Sequence, residues 1–131
     1  MSVGLDTSVV LRLLVGEPEA QAAKAHALLD QLTEKNESAL VSDLVVAEVY
    51  FALHYHYQVP KREALSALRH FLNAPEIEND GVALNVLATP KLESAKPGFV
   101  DRMIHQQYRN AAGGMVTFEK AAKKLTDTMV L

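Results

Sequence analysis

Short apolar runs alternate along the chain with longer segments in which apolar residues recur every three or four positions. The short runs predict strands at residues 3–6, 39–41, 77–79, 115–118 and 128–131. The periodic segments predict helices at about residues 8–15, 18–34, 42–57, 60–73, 81–93, 99–111 and 119–125. Strands that alternate with helices predict an α/β fold of three layers, in which helices flank a short central parallel sheet.

Nothing in the sequence divides the chain. It has no internal repeat, no low-complexity segment and no linker rich in proline and glycine, and its 131 residues are 49% apolar. This composition is ordinary for one domain that buries a core, so we expect a single domain over residues 1–131. The longest apolar run, residues 9–15, contains Arg12 and follows Asp6, so it predicts neither a signal peptide nor a membrane span, and we expect a cytoplasmic protein.

Composition and charge narrow the chemistry. The chain has no cysteine, which excludes a disulfide framework, a thiolate zinc site and a cysteine nucleophile. His54 and His56 are two positions apart and lie on different sides of a helix, which disfavours a metal site made of histidines. Residues 1–81 carry a charge of −6 and residues 82–131 carry +3. The basic half indicates either a surface that faces phosphates or scattered solvated lysines.

Four acidic residues lie among apolar neighbours where strands give way to helices, or within a helix: Asp6, Glu48, Asp101 and Glu119. In open parallel sheets, ligands bind beyond the carboxyl ends of the strands, so acids from distant segments can meet at one edge of the sheet. Clustered carboxylates repel each other, and a divalent cation cancels this repulsion. The four acids therefore predict a metal site.

Each acid also has an ordinary structural interpretation. Asp6 is an N-cap candidate for the helix that follows it, and Asp101 and Glu119 lie in first helical turns, where the helix dipole favours an acid. Glu48 is harder to explain, because it belongs to an apolar helical stripe with Leu44, Val45, Phe51, Ala52 and Tyr55. A buried, unpaired charge costs several kcal/mol. We therefore expect Glu48 to reach the rim, pair with a base or bind a cation.

The segments around these acids form four motifs in order: Leu5-Asp6-Thr7-Ser8-Val9-Val10-Leu11-Arg12, Val41-Ser42-Asp43-Leu44-Val45-Val46-Ala47-Glu48-Val49, Phe99-Val100-Asp101-Arg102-Met103-Ile104 and Val116-Thr117-Phe118-Glu119. Together they resemble a PIN domain of the VapC-type toxin ribonucleases, and the resemblance covers essentially the whole chain. Glu119 stands where the family commonly has Asp. Gly98 stands where members often carry an additional Asp, and Arg102, His105 and Gln106 replace small residues.

The resemblance implies an endoribonuclease that hydrolyses RNA phosphodiesters. Asp6, Glu48 and Asp101 would hold Mg²⁺ or Mn²⁺, and Glu119 would hold a second ion or position water. The hydroxyls of Thr7, Ser8 and Thr117 would support these ligands. Arg102 would either pair with Asp101 or contact a phosphate of the RNA. The resemblance also implies a homodimer and a small antitoxin that blocks the acidic pocket.

Two other functions are alternatives to the ribonuclease. Gly98 and Arg102 also fit a PIN-like module with a degraded site that binds RNA or a protein partner. An aspartyl-phosphate phosphohydrolase of the haloacid dehalogenase type also begins with an acid after its first strand, but it needs a second Asp where this chain has Ser8. Four aromatic residues, Tyr50, Phe51, Tyr55 and Tyr57, belong either to the core or to an interface.

Overall fold

The computed structural model describes residues 2–131, which form five short strands and six helices. The strands are β1 (Ser2–Gly4), β2 (Ser38–Leu40), β3 (Ile77–Glu78), β4 (Met115–Thr117) and β5 (Thr128–Val130). The helices are α1 (Thr7–Val15), α2 (Glu19–Glu34), α3 (Asp43–Phe51), α4 (Lys61–Leu72), α5 (Ala83–Leu87) and α6 (Phe99–Ala111). No helix within residues 2–131 combines the length and the apolar character needed to cross a lipid bilayer.

The predicted α/β class is confirmed, and most elements lie where the periodicity predicts them. One helix prediction is wrong in its length. The pattern predicts a helix over residues 81–93, whereas α5 ends at Leu87 and a separate 3₁₀ turn follows at Leu92–Ser94. Pro90 explains the break, because a proline disfavours helical geometry in the residue before it and lacks the N–H that a helix interior needs. The helix predicted at 119–125 is a 3₁₀ turn, Lys120–Lys124.

The five strands form two parallel sheets. The first has the order β1-β2-β3, with Val3 opposite Ala39, and the second pairs β4 with β5, with Val116 opposite Met129. β1 is an outer strand of its sheet, and within residues 2–131 β4 pairs only with β5. Asp6 and Glu119 therefore follow strands of different sheets, whereas the sequence predicts that the acids meet at the edge of one sheet.

The core contains buried residues of the three-stranded sheet and of all six helices, and α4 contributes the most. α4 illustrates how the sequence positions it: Ala64, Leu65, Leu68, Phe71 and Leu72 recur at helical spacing and are all buried. Val46 and Val49 of α3 are fully buried as well. The opposite side of α3 carries Glu48 and faces solvent, so core packing fixes how the candidate site is presented.

A buried carboxylate, Asp43, connects three parts of the chain at the start of α3. It accepts hydrogen bonds from the backbone N–H groups of Val82 (2.8 Å) and Ala83 (3.0 Å), which begin α5. It also accepts from the side-chain amides of Asn79 (3.1 Å) and of Gln107 on α6 (2.9 Å). One charged group thus satisfies two N–H groups at a helix start and positions α3, α5 and α6 relative to each other.

Burial acts to raise the pKa of Asp43, but the hydrogen bonds from Val82, Gln107, Asn79 and Ala83 outweigh it. The pKa of Asp43 therefore lies below its ordinary value, and the group is ionised in the folded protein. Gly81 makes this arrangement possible, because a Cβ at that position would overlap the Asp43 carboxylate.

Gly81→Ala should therefore lower the stability of the fold. The new methyl group displaces the Asp43 carboxylate from its donors, at a cost of about 2 kcal/mol. Thermal melting should show a drop of several degrees. Gly113→Ala is the matched control, since nothing lies within 4 Å of a Cβ at Gly113. Equal melting temperatures for the two variants would contradict the close contact between Gly81 and Asp43.

The contribution of Asp43 should depend on pH with a definite sign. Because its folded pKa is lowered, the stability it adds is fully present above its ordinary pKa of about 3.9 and is lost as the pH falls through the lower folded value. Asp43→Asn should cost about 3 kcal/mol at neutral pH. Denaturant unfolding of both proteins should show that this difference narrows below about pH 4. A difference that stays constant to pH 3 would argue against an ionised Asp43.

Candidate active site

Asp6 lies directly after the first sheet and caps α1. Its Oδ1 accepts hydrogen bonds from the Ser8 hydroxyl (2.7 Å) and the Val9 N–H (3.3 Å). These bonds lower the pKa of Asp6, with the Ser8 hydroxyl as the largest cause. The predicted N-cap role is thus observed, and the cap uses one carboxylate oxygen. Of residues 2–131, none donates a hydrogen bond to Oδ2.

Glu48 is joined to the start of α1 by a single hydrogen bond. The hydroxyl of Thr7, the first residue of α1, donates to Glu48 Oε1 at 3.0 Å. The apolar stripe around Glu48 faces outward, since Leu44 is 74% exposed and Tyr55 is 70% exposed. Glu48 therefore reaches solvent and bears no large burial cost, which is the first of the three outcomes expected for it.

Asp101 and Glu119 line one cavity of about 170 Å³ between α6 and the second sheet. Asp101 is in the first turn of α6. Glu119 caps the 3₁₀ turn that follows β4, because its Oε1 accepts from the Ala121 N–H at 3.1 Å. Thr117 supports this residue through the backbone: its hydroxyl accepts from the Glu119 N–H at 3.0 Å. Both acids thus also have the helix-terminal roles that the sequence allows.

A second cavity, of about 330 Å³, separates α3 from α6. Its walls include Glu48 and Phe51 on α3 and Met103 and Ile104 on α6, with the Asp43–Gln107 contact at its floor. Ile104 lines both this cavity and the one that holds Asp101 and Glu119. The two cavities are therefore neighbours on the surface, with one apolar side chain between them.

The acids are consequently arranged as two pairs. Thr7 connects the Asp6 loop to Glu48, and a shared cavity brings Asp101 to Glu119. Within residues 2–131, no three His, Cys, Asp or Glu side chains are close enough to form a metal site by themselves. The donor set still fits Mg²⁺, because this ion takes hard oxygen ligands and is commonly held by one or two carboxylates together with waters and substrate phosphates.

Arg102 does not form an ion pair with Asp101. Its Nε donates to the carbonyl oxygen of Pro97 at 2.7 Å. The ion pairs found in residues 2–131 are Arg62–Glu93 and Arg109–Asp127. The interpretation of Arg102 as an internal partner of Asp101 is therefore not what the structure contains, and contact with a phosphate remains a proposal.

Sequence reasoning did not single out Asp43 or Gln107, although both line the cavity next to Glu48. Asp43 directly follows the N-cap Ser42, so by sequence it looks like any acid in a first helical turn. The sequence also gives no sign of the contact made by His105, whose Nε2 is 2.6 Å from the carbonyl oxygen of Thr126. This contact fixes the segment after the 3₁₀ turn against α6.

Comparison with known protein families gives a match. The family model described as PIN domain matches residues 3–127, which is nearly the whole chain. No curated protein and no solved structure matches it. PIN domains generally act as nucleases and typically use divalent metal ions. On the evidence of this match, and with the acidic motifs in the expected order, the chain belongs to the PIN domain family.

Proposed function

We propose that the chain is a metal-dependent endoribonuclease that hydrolyses RNA phosphodiesters, and that it is the toxin of a toxin–antitoxin pair. The observation that carries the proposal is the arrangement of the acids in a PIN domain: Glu48 lines one cavity and accepts from Thr7, the residue after Asp6, and Asp101 and Glu119 line the adjoining cavity. All four acids are exposed and open to a polyanionic substrate.

Asp6, Glu48, Asp101 and Glu119 would hold Mg²⁺ or Mn²⁺. When bound, such an ion supplies charge that offsets the phosphate and polarises a water for attack. Two carboxylates from one pair, completed by solvent and by the phosphate of the RNA, suffice as ligands for this ion. The absence of a closed protein cage is therefore compatible with the proposal.

The hydroxyls beside the acids prepare them for this role. Thr7 donates to Glu48 and limits the positions of that carboxylate, and Ser8 does the same for Asp6. The Ser8 hydroxyl and the Val9 N–H lower the pKa of Asp6, so this carboxylate stays ionised to a lower pH than an ordinary aspartate. An ionised and oriented carboxylate binds a cation without losing a proton and with little loss of side-chain freedom.

Glu119 is held in the same way from the second sheet. The Ala121 N–H occupies its Oε1 and the Thr117 hydroxyl accepts from its backbone, so the direction in which the side chain leaves the chain is fixed. The longer side chain of Glu, compared with the Asp common in the family, extends its carboxylate further from β4. Asp101 is carried by the rigid first turn of α6 in the same cavity.

The apolar surface next to Glu48 supports the proposed protein partners. Leu44, Phe51 and Tyr55 are exposed on one side of α3 and its π-helical continuation, Ala52–His56. Exposed apolar patches of this kind mark protein interaction sites. A homodimer and a small antitoxin are the partners that the family resemblance implies, and an antitoxin segment seated there would cover Glu48.

The separation of the acids into two pairs also supports a second function, a module that binds RNA or a protein without cleaving it. Gly98 and Arg102, which depart from the family pattern on either side of Asp101, motivate this second function. The two functions differ in one measurable property, which is cleavage that depends on a divalent cation.

Purified protein should cleave single-stranded RNA in Mn²⁺ or Mg²⁺ and lose this activity in excess chelator. Glu48→Gln and Asp101→Asn should each reduce the rate at least about 10²-fold, because a ligand and a charge are removed. Asp30→Asn, at an exposed position on α2, is the matched control and should keep full activity. Cleavage that survives chelation, or full activity in Asp101→Asn, would refute the proposal.

Mn²⁺ should also stabilise the folded protein, since it binds the folded state alone. At a concentration a hundredfold above its Kd, the gain is about 2.7 kcal/mol, or several degrees in Tm. Glu48→Gln and Asp101→Asn should shrink this rise, whereas Asp30→Asn should leave it intact. If saturating Mn²⁺ does not move the Tm of the unmodified protein, the metal-dependent mechanism is excluded and the binding module is favoured.

A further inference from the structure

Two cavities adjoin each other on the side of the molecule formed by α4, α5 and α6. The first, of about 250 Å³, lies between α5, α6 and the segment after the 3₁₀ turn Lys120–Lys124. The second, of about 460 Å³, lies between α4 and the segment that follows α5. Thr89 lines both of them. They therefore adjoin each other at Thr89, and we refer to the two cavities together as the depression.

This depression collects positive charge. Six cationic side chains line it: Arg62, Arg69, Lys91, Arg102, Arg109 and Lys124. The only acid among its lining residues is Glu93. The whole chain has 13 Lys and Arg against 16 Asp and Glu. Nearly half of the cations of a net acidic protein thus line one depression, and four of them belong to the seven cations of residues 82–131.

Most of this charge is not neutralised internally. Arg62 pairs with Glu93 at 3.4 Å and Arg109 with Asp127 at 3.3 Å, and within residues 2–131 the other four cations form no ion pair. Arg102 is held in place by its bond from Nε to the Pro97 carbonyl, which leaves both terminal nitrogens of its guanidinium free to donate. A fixed guanidinium with free donors suits a phosphate group.

The lining also indicates which polyanion fits. Neutral hydrogen-bonding groups accompany the cations, among them Asn85, Thr89 and Gln106. No Phe, Tyr or Trp within residues 2–131 lines either cavity, and the His105 ring, which does line the first, is buried and bonded to the Thr126 carbonyl, so neither cavity offers an exposed aromatic platform for stacking bases. Cations with polar neighbours and no aromatic platform are suited to a sugar-phosphate backbone, which they contact without reading its sequence.

α6 connects this depression to the acids. Arg102, Gln106 and Arg109 line the first cavity, while Asp101 and Ile104 line the cavity that contains Glu119. Successive residues of a helix are about 100° apart, so these two sets form neighbouring stripes on α6. Asp101 and Arg102 are consecutive residues in the first turn of α6, so the depression and the acid cavity adjoin at this end of the helix.

We propose that the depression is a binding track for the sugar-phosphate backbone of an RNA strand, which it leads along α6 to the paired acids. The track rests on the proposed nuclease function for the identity of its ligand. Its binding contribution is electrostatic and independent of RNA sequence.

Fluorescence anisotropy of a labelled oligouridylate tests the track. It is performed in excess chelator, so that cleavage does not interfere, and repeated over a range of salt concentrations. Arg102→Gln/Lys124→Gln and Arg69→Gln/Lys91→Gln each remove two cations from the track. Each pair should weaken binding about tenfold at low salt and should reduce the slope of log affinity against log salt by about 1.4, since each phosphate contact on a single strand contributes about 0.7.

Lys24→Gln/Lys35→Gln removes two exposed cations of α2 and its end, outside both cavities, and is the matched control. It should leave affinity and salt slope nearly unchanged. Thermal melts verify that all three variants are folded, and the Arg69/Lys91 pair remains informative if loss of the Arg102–Pro97 bond disturbs α6. Equal losses in track and control variants, or no loss in either track variant, would overturn the proposal.

Two further outcomes separate the track from its alternatives. If polyglutamate displaces the oligouridylate as effectively as unlabelled RNA does, the track is a site for acidic peptides and the RNA assignment is wrong. If the variants lose RNA binding as expected but the unmodified protein never cleaves RNA with Mn²⁺, the track stands and the nuclease proposal fails. If instead the protein cleaves RNA with Mn²⁺ and both track variants keep the KM of the unmodified protein, the nuclease proposal stands and the track proposal fails.

Discussion

The hydrogen bonds to the buried carboxylate of Asp43 hold the candidate site together. They join the start of α3 to the start of α5 and to the middle of α6. A charge removed from water is stable only when donors surround it, and this one receives two backbone and two side-chain donors. Glu48 lies five residues beyond Asp43 on the same helix, and Asp101 lies six residues before Gln107. The spacing between the two acids thus depends on this internal contact.

The surface acids are oriented by a few hydrogen bonds from neutral groups. Hydroxyls and the first N–H groups of helices hold the carboxylates of Asp6, Glu48 and Glu119, and no basic residue within residues 2–131 pairs with any of the four. Oriented but uncompensated acids leave a local excess of negative charge that a cation can offset. The basic depression, which borders the neighbouring stripe of α6, provides the complementary charge, so an acidic and a cationic surface adjoin along this helix.

Local sequence signals accounted for the elements but not for their assembly. Apolar spacing was sufficient for α6 and α4, and the polar neighbours of Asp6 correctly indicated its N-cap. The helical pattern of residues 81–93 extends beyond α5, which ends at Leu87 because Pro90 interrupts the helix. The connecting role of Asp43 is not visible in the local sequence, because its hydrogen-bond partners are 36 to 64 residues away in the chain. The division of the strands into two sheets was not predicted, since it depends on long-range pairing that three-residue strands encode weakly.

The separation of the sheets leaves unpaired backbone at two strand edges. Leu5 donates to Leu40 of the neighbouring strand, so by alternation Ser2 and Gly4 direct their backbone groups away from it. The backbone groups of Val116 in β4 likewise point away from β5, because those of Met115 and Thr117 are hydrogen-bonded to the β5 side. Such edges are templates for aggregation when strands are long. Here each strand has three residues and offers an incoming chain too few hydrogen bonds to hold it, so the shortness of the strands protects these edges.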